Sequence, residues 1–224
     1  MYLFIVPPLT TLLFKMLAML KRKLGVCLLT LLVITGLAGT INEDSIIKSE
    51  RKFATGLMKD TYKDAVEAVK GLSDEQLNYR VAENRWSVKE CLYHIAATEK
   101  SLWSMLEGAM KSQANPEKRS EIKLTDEQVV KIVEDRSFKA QAPEAVQPKN
   151  TGFKSLDEAL ADFKNHRMNH IKYMKTTTED LRNHVVQFPF GWIDCYQLYL
   201  FIAGHSNRHT QQMNEVKADP GFPK

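Results

Sequence analysis

The sequence predicts an all-α fold: a four-helix bundle with a long crossover between its second and third helices. Three observations predict it. Apolar residues recur at the helical period through most of the chain, and no segment shows convincing strand-like alternation. Four long periodic segments carry start and stop signals of helices. Between the second and third lies a polar stretch, residues 111 to 153, punctuated by Pro116, Pro143 and Pro148.

The first helix is expected from about Ser45 to Val69, with Phe53, Leu57, Tyr62, Val66 and Val69 as apolar positions. Gly71 follows, where a helix commonly stops. A short turn begins at Ser73 to Gln76. The second helix opens at Ser87, whose hydroxyl can cap while Glu90 reaches back, ahead of Val88, Cys91, Leu92, Ile95, Leu102 and Leu106. It is expected to stop near Gly108. Inside the crossover, Thr125 opens one further helix over Asp126 to about Asp135. Ser155 and Glu158 open the third helix, which carries Leu156, Leu160, Phe163, Ile171 and Met174 and ends in the threonines 176 to 178. After a turn at Pro189 and Gly191, Asp194 and Gln197 pair to start the fourth, where Leu198, Ile202, His205, His209 and Met213 form one stripe.

The chain of 224 residues, 44% hydrophobic, suits one globular domain with an appendage. A basic cluster, Lys21, Arg22 and Lys23, precedes an apolar run from Leu24 to about Leu37 and then small residues. This is the layout of a secretory signal peptide, so residues 1 to 38 are read as a leader and 39 to 224 as the mature domain, exported to the periplasm or the medium. The apolar run, about fifteen residues, is short of the ~20 that span a membrane. Left uncleaved, it would anchor the protein in the membrane. The layout improves if translation starts at Met16 or Met19. Lys15, Lys21, Arg22 and Lys23 account for the whole formal charge of +4, because residues 1 to 40 hold no acid. The mature domain is then neutral, which argues against nucleic acid as a partner. Cys27 leaves with the leader. Cys91 and Cys195 fall within helices and are read as buried thiols rather than a disulfide.

His205 and His209 stand four residues apart, so their side chains differ by about 40° around the helix and about 6 Å along it. Both can reach one metal ion. The pair His166 and His170 has the same spacing, but Lys164, Asn165, Arg167 and Asn169 surround it, and a solvated face is expected there. His94 lies in the apolar pattern of the second helix. It could join the metal site or be a hydrogen-bonded core histidine.

The run from Arg85 to Ile95, with Trp86, Ser87, Glu90 and His94, resembles the W-S-x-x-E-x-x-x-H signature of the DinB-like (YfiT-type) superfamily. His205 to Met213 resembles that family's H-x-x-R-H-x-x-Q-I run, and the resemblance spans about residue 45 to the C-terminus. It implies an up-down-down-up bundle, frequent homodimers, and a tri-histidine site for one divalent transition metal such as nickel or zinc. By match of position the ligands are His94, His205 and His209. The resemblance leaves three functions open. The first is a metal-dependent hydrolase acting on a small molecule, with Glu90, Asp194 or Glu99 as the candidate general base. The second is a non-catalytic metal-binding or structural bundle, in which Cys91 could supply a fourth ligand to close a zinc site. The third is a thiol-dependent S-transferase, which export would separate from its cytoplasmic co-substrate.

Overall fold

The computed structural model describes residues 46–137 and 141–224. Residues 1 to 38, read above as a leader, lie outside them. Four long helices make the bundle: α1 (Lys48–Val69), α3 (Val88–Lys111), α5 (Leu156–Thr176) and α6 (Cys195–Lys217). A short α2 (Asp74–Asn78) follows α1, and α4 (Asp126–Glu134) lies within the crossover. Among the described residues no helix is long and apolar enough to cross a membrane.

The expected caps form where the sequence places them. Ser73, Ser87, Thr125 and Asp194 each accept a bond from the backbone N–H three residues on, and the residue at that position returns one. Ser155 also caps Glu158 N–H, but the Glu158 carboxylate accepts from Lys154 N–H at 2.7 Å instead of closing the box. In α1 the buried stripe is Ala54, Met58, Thr61, Ala65 and Ala68. Phe53, expected in the core, is 42% exposed. Val69 is buried as expected, and Leu57 and Tyr62 are partly buried against the core.

Contacts along the helices fix their directions. Residues near the start of α3 share an apolar cluster with Ala159 and Phe163 near the start of α5, and with Met213 and Val216 near the end of α6. Tyr196 Oη donates to Glu50 O near the start of α1, and Lys217 Nζ donates to Ala68 O near its end. Thus α1 and α6 run one way and α3 and α5 the other, the up-down-down-up order. A parallel α3 and α5 must be joined by a long connection, which is why the crossover exists. It is a folded element: α4 packs on α6, where Gly204 leaves room for Val133, whose Cβ would stand 3.4 Å from a Cβ at that position.

Two four-residue strands, β1 (Val185–Phe188) and β2 (Gly191–Asp194), pair antiparallel just before α6. The sequence reading anticipated only the turn. Strands of this length offer too few alternations to register as a pattern. Gly191 takes φ +133°, a conformation that favours glycine, and so permits the tight reversal after Pro189.

The core has two apolar clusters, one containing Met58, Leu102, Leu106, Met174 and Ile202, the other Val69, Cys91, Leu92, Phe163 and Met213. Buried polar side chains occupy the level between them.

Candidate metal centre

Three imidazoles meet at that level. One ring nitrogen from each of His94, His205 and His209 lies within 4.8 Å of the other two. Ring centroids are 4.4 Å apart for His94 and His209, 4.6 Å for His205 and His209, and 5.0 Å for His94 and His205. α3 presents His94, and two successive turns of α6 present the pair, as the spacing requires.

Hydrogen bonds set which nitrogen is free in two of the rings. His94 Nδ1 lies 2.7 Å from the Val146 carbonyl, which can only accept, so Nδ1 carries the proton and Nε2 is a bare lone pair. His209 Nδ1 lies 3.0 Å from Gln212 Oε1, with the same result for its Nε2. Arg136 Nη1 donates to that oxygen at 3.4 Å and so holds the Gln212 amide with its oxygen toward His209. A fork from Arg136 to Glu215, at 2.8 and 3.1 Å, holds the guanidinium in turn. Both outer partners, Val146 and Arg136, come from the crossover.

His94 Nε2 and His205 Nε2 are 3.2 Å apart. Two nitrogens on one tetrahedral zinc at about 2.05 Å would stand about 3.3 Å apart. The donor set therefore fits an ion. Its protonation also fits: burial pushes His94 down to about 4 against a weaker opposing effect of the Val146 bond. Burial first, then the neighbouring rings, push His205 and His209 well below the ordinary histidine value. All three are neutral ligands at pH 7.

The cluster has a covered side and an open one. Trp86 packs on His94 and His209 with ring centroids at 4.8 and 5.8 Å, and those histidines are buried. His205 is half-buried, and Phe201 lies beside it with the rings nearly parallel.

The remaining candidates are engaged elsewhere. Glu90 accepts from Ser87 N–H at 2.9 Å and from Arg80 at 2.5 Å. Asp194 caps α6 and takes a bond from Arg182 at 3.0 Å. Cys91 is a buried core thiol, as is Cys195, and neither is bonded to the other. Among the described residues no carboxylate or thiol joins the three histidines. So the fourth ligand that a closed structural site needs is not supplied by Cys91.

The solvated face expected for His166 and His170 is corrected at His170, whose partner is the buried Glu99. Glu99 is 1% exposed, and its carboxylate forks with Arg167 at 2.7 and 2.8 Å. His170 is likewise buried, with Nδ1 2.9 Å from Glu99 Oε1 and its ring stacked on Trp103 at 3.9 Å between centroids. Only His166 keeps a partly solvated position, facing Asp162 at 3.5 Å. Burial alone would raise the Glu99 carboxyl, but Arg167 and His170 outweigh it and hold it below the usual carboxylate range.

An up-down-down-up bundle with three histidines gathered from its second and fourth long helices defines a class of helical proteins built around a histidine cluster. The DinB superfamily model matches residues 57–213, and the chain belongs to that superfamily. It is 28% identical over 150 residues to the uncharacterized protein YuaE of Bacillus subtilis (strain 168), an alignment covering 66% of this chain and 88% of that one. Among solved structures it superposes on YfiT from Bacillus subtilis with a TM-score of 0.55 at 14% identity, over 80% of this chain and 92% of YfiT. That protein is described as a probable metal-dependent hydrolase with an unusual four-helix bundle topology.

Proposed function

We propose that the chain is a divalent-metal-dependent hydrolase of a small molecule, with the ion held by His94, His205 and His209. The observation that carries this reading is the geometry of the three rings: two have their outer nitrogens committed, and their free nitrogens converge without a fourth protein ligand among the described residues. Three imidazoles suit zinc or nickel. A divalent ion in such a site supplies Lewis acidity toward water and toward a carbonyl or phosphoryl oxygen.

The chain's own residues do the rest. Val146 and Gln212 keep the protons of His94 and His209 on Nδ1, so both rings offer Nε2. Trp86 excludes water from one side, and the half-buried His205 leaves the other side accessible. Glu90, Asp194 and Glu99 are each bound into other partners, so none is placed to take a proton from water at the cluster. The description of YfiT supports the same reaction class.

The test is metal content and ester hydrolysis of purified protein. About one zinc or nickel per chain is expected, with hydrolysis lost on chelation and restored by the ion, and both lost in His209→Ala. A protein that takes up no metal on titration refutes the site. One that binds metal but hydrolyses no ester or amide, and keeps no exchangeable water on the ion, is a structural bundle instead.

A further inference from the structure

The open side of the histidine cluster continues into a row of phenylalanine rings. Phe201 stands one helical turn before His205 on α6; the two rings are inclined by 11° with centroids 6.3 Å apart. Phe190, from the tip of the β1–β2 hairpin, is parallel to Phe201 within 8° at 6.0 Å. Phe188 touches both, at 5.0 and 5.4 Å. All three rings are only partly buried, although they pack against the apolar cluster beneath.

The hairpin explains how rings so far apart in sequence align. Phe188 pairs with Gly191 at the last rung, so the reversal at Pro189 and Phe190 brings two phenylalanines over a third on α6. The parallel rings of Phe190 and Phe201, with Phe188 inclined to them by 36° and 44°, leave aromatic faces and edges on which a further ring can pack in the offset or edge-on arrangements aromatic pairs prefer. A small-molecule site typically joins one polar centre to an apolar wall that grips the unreactive part of the ligand. Here the polar centre is His205 and its partners, and the wall begins at the next turn of the same helix. Trp86 packs on His94 and His209, so a ligand that reaches the cluster at His205 meets Phe201 beside it.

We propose that Phe188, Phe190 and Phe201 form the subsite for an aryl group that the substrate carries next to its scissile carbonyl. This deepens the hydrolase reading and rests on it. Among the described residues no cation stacks on these three rings, so an uncharged aryl group suits the wall better than an anionic one.

The experiment titrates the zinc-loaded full chain with acetohydroxamate and phenylacetohydroxamate, two chelators that differ by a phenyl ring. Burying that ring should make the second bind at least about tenfold more tightly to the wild type. In Phe190→Ala and in Phe201→Ala that preference should fall to about threefold or less, a remaining difference of about 0.7 kcal/mol or less. Phe53→Ala, on the exposed side of α1, should keep the wild-type preference. Zinc content of each variant reports that the fold and the histidine cluster survive. Equal affinities in the wild type, no binding of either compound to zinc-loaded protein, or a preference unaffected by both hairpin and helix variants would overturn the proposal. Failure of the metal reading shows separately, as absent zinc uptake. The metal-free chain is then titrated with phenylacetate by tryptophan fluorescence: saturable binding weakened in Phe190→Ala supports the subsite, and its absence overturns it.

Discussion

Two polar clusters share the middle level of this bundle, and they are built on opposite plans. In one, Arg167 of α5 donates to Glu99 on α3, to Met58 O and Thr61 Oγ1 on α1, and to Ser206 Oγ on α6, at distances from 2.5 to 2.9 Å. The ion pair is buried, and every guanidinium N–H has an acceptor. The other cluster, starting at the residue before Ser206, gathers three neutral rings, and two of them, His94 and His209, keep their protons on the far nitrogen. Charge that is matched internally has nothing left to offer a ligand; lone pairs kept free by a bond on the other side of the ring have. The same depth of burial therefore produces a strut in one place and a binding site in the other.

The sharpest way to break the contrast is to unmatch the strut. Arg167→Met leaves the Glu99 carboxylate without its principal partner, and removing one member of a buried pair costs about 3–5 kcal/mol. Urea unfolding should show that loss, while the double variant Glu99→Leu with Arg167→Met should recover much of it. If the single variant is as stable as wild type, the cluster is not the strut described.

A smaller effect is expected on the other side. Gln212→Ala removes the acceptor that fixes His209 Nδ1, and loss of such outer partners typically weakens metal binding about 10–100-fold. Competition titration with a chelator would measure it. Unfolding stability of the metal-free protein should change far less than in Arg167→Met. A Gln212→Ala protein with wild-type metal affinity would show that the tautomer is set by something else.

Acid should separate the clusters by pH. The three histidines are neutral when folded and, once unfolded, take up protons near pH 6.5, so stability falls as pH drops from about 6.5 toward the folded value of about 4 for His94. Each such proton contributes a slope of about 1.4 kcal/mol per pH unit. Glu99 behaves differently: its carboxyl is depressed in the fold, so its stabilisation is present above the unfolded value of about 4.3 and is lost below it. Urea midpoints against pH should thus fall in two steps, with the upper one reduced in His94→Ala and the lower one reduced in the Glu99→Leu, Arg167→Met double variant. A single step below pH 4.5 would remove the histidines from the account.

How much of this was legible in the sequence follows from the range of the forces. Caps act over three residues, so Ser87 with Glu90 and Asp194 with Gln197 were readable and formed as expected. The pairing of His205 with His209 was readable for the same reason. Arg167 and His170 were not: their sequence neighbours are polar, and the partner that makes their burial tolerable is Glu99, 68 residues before Arg167. Yet a signal was present, because Phe163, Arg167, His170 and Met174 follow a spacing of four, three and four, the stripe of one buried helix face. Judging polarity by adjacent residues hid what judging it by helical phase would have shown. Phe53 failed in the converse way, since α1 turns its alanines inward and leaves the bulky ring outside.

The four-way reach of Arg167 also bears on how the domain comes apart. Loss of α1, α3 or α6 would leave its guanidinium short of a partner in a dry interior, and loss of α5 would strand the Glu99 carboxylate. Intermediates that shed one helix are thereby disfavoured, and opening should be an all-or-none event for these helices. Amide protons on α1, α3, α5 and α6 around this level should then exchange at a common, global rate, rather than helix by helix.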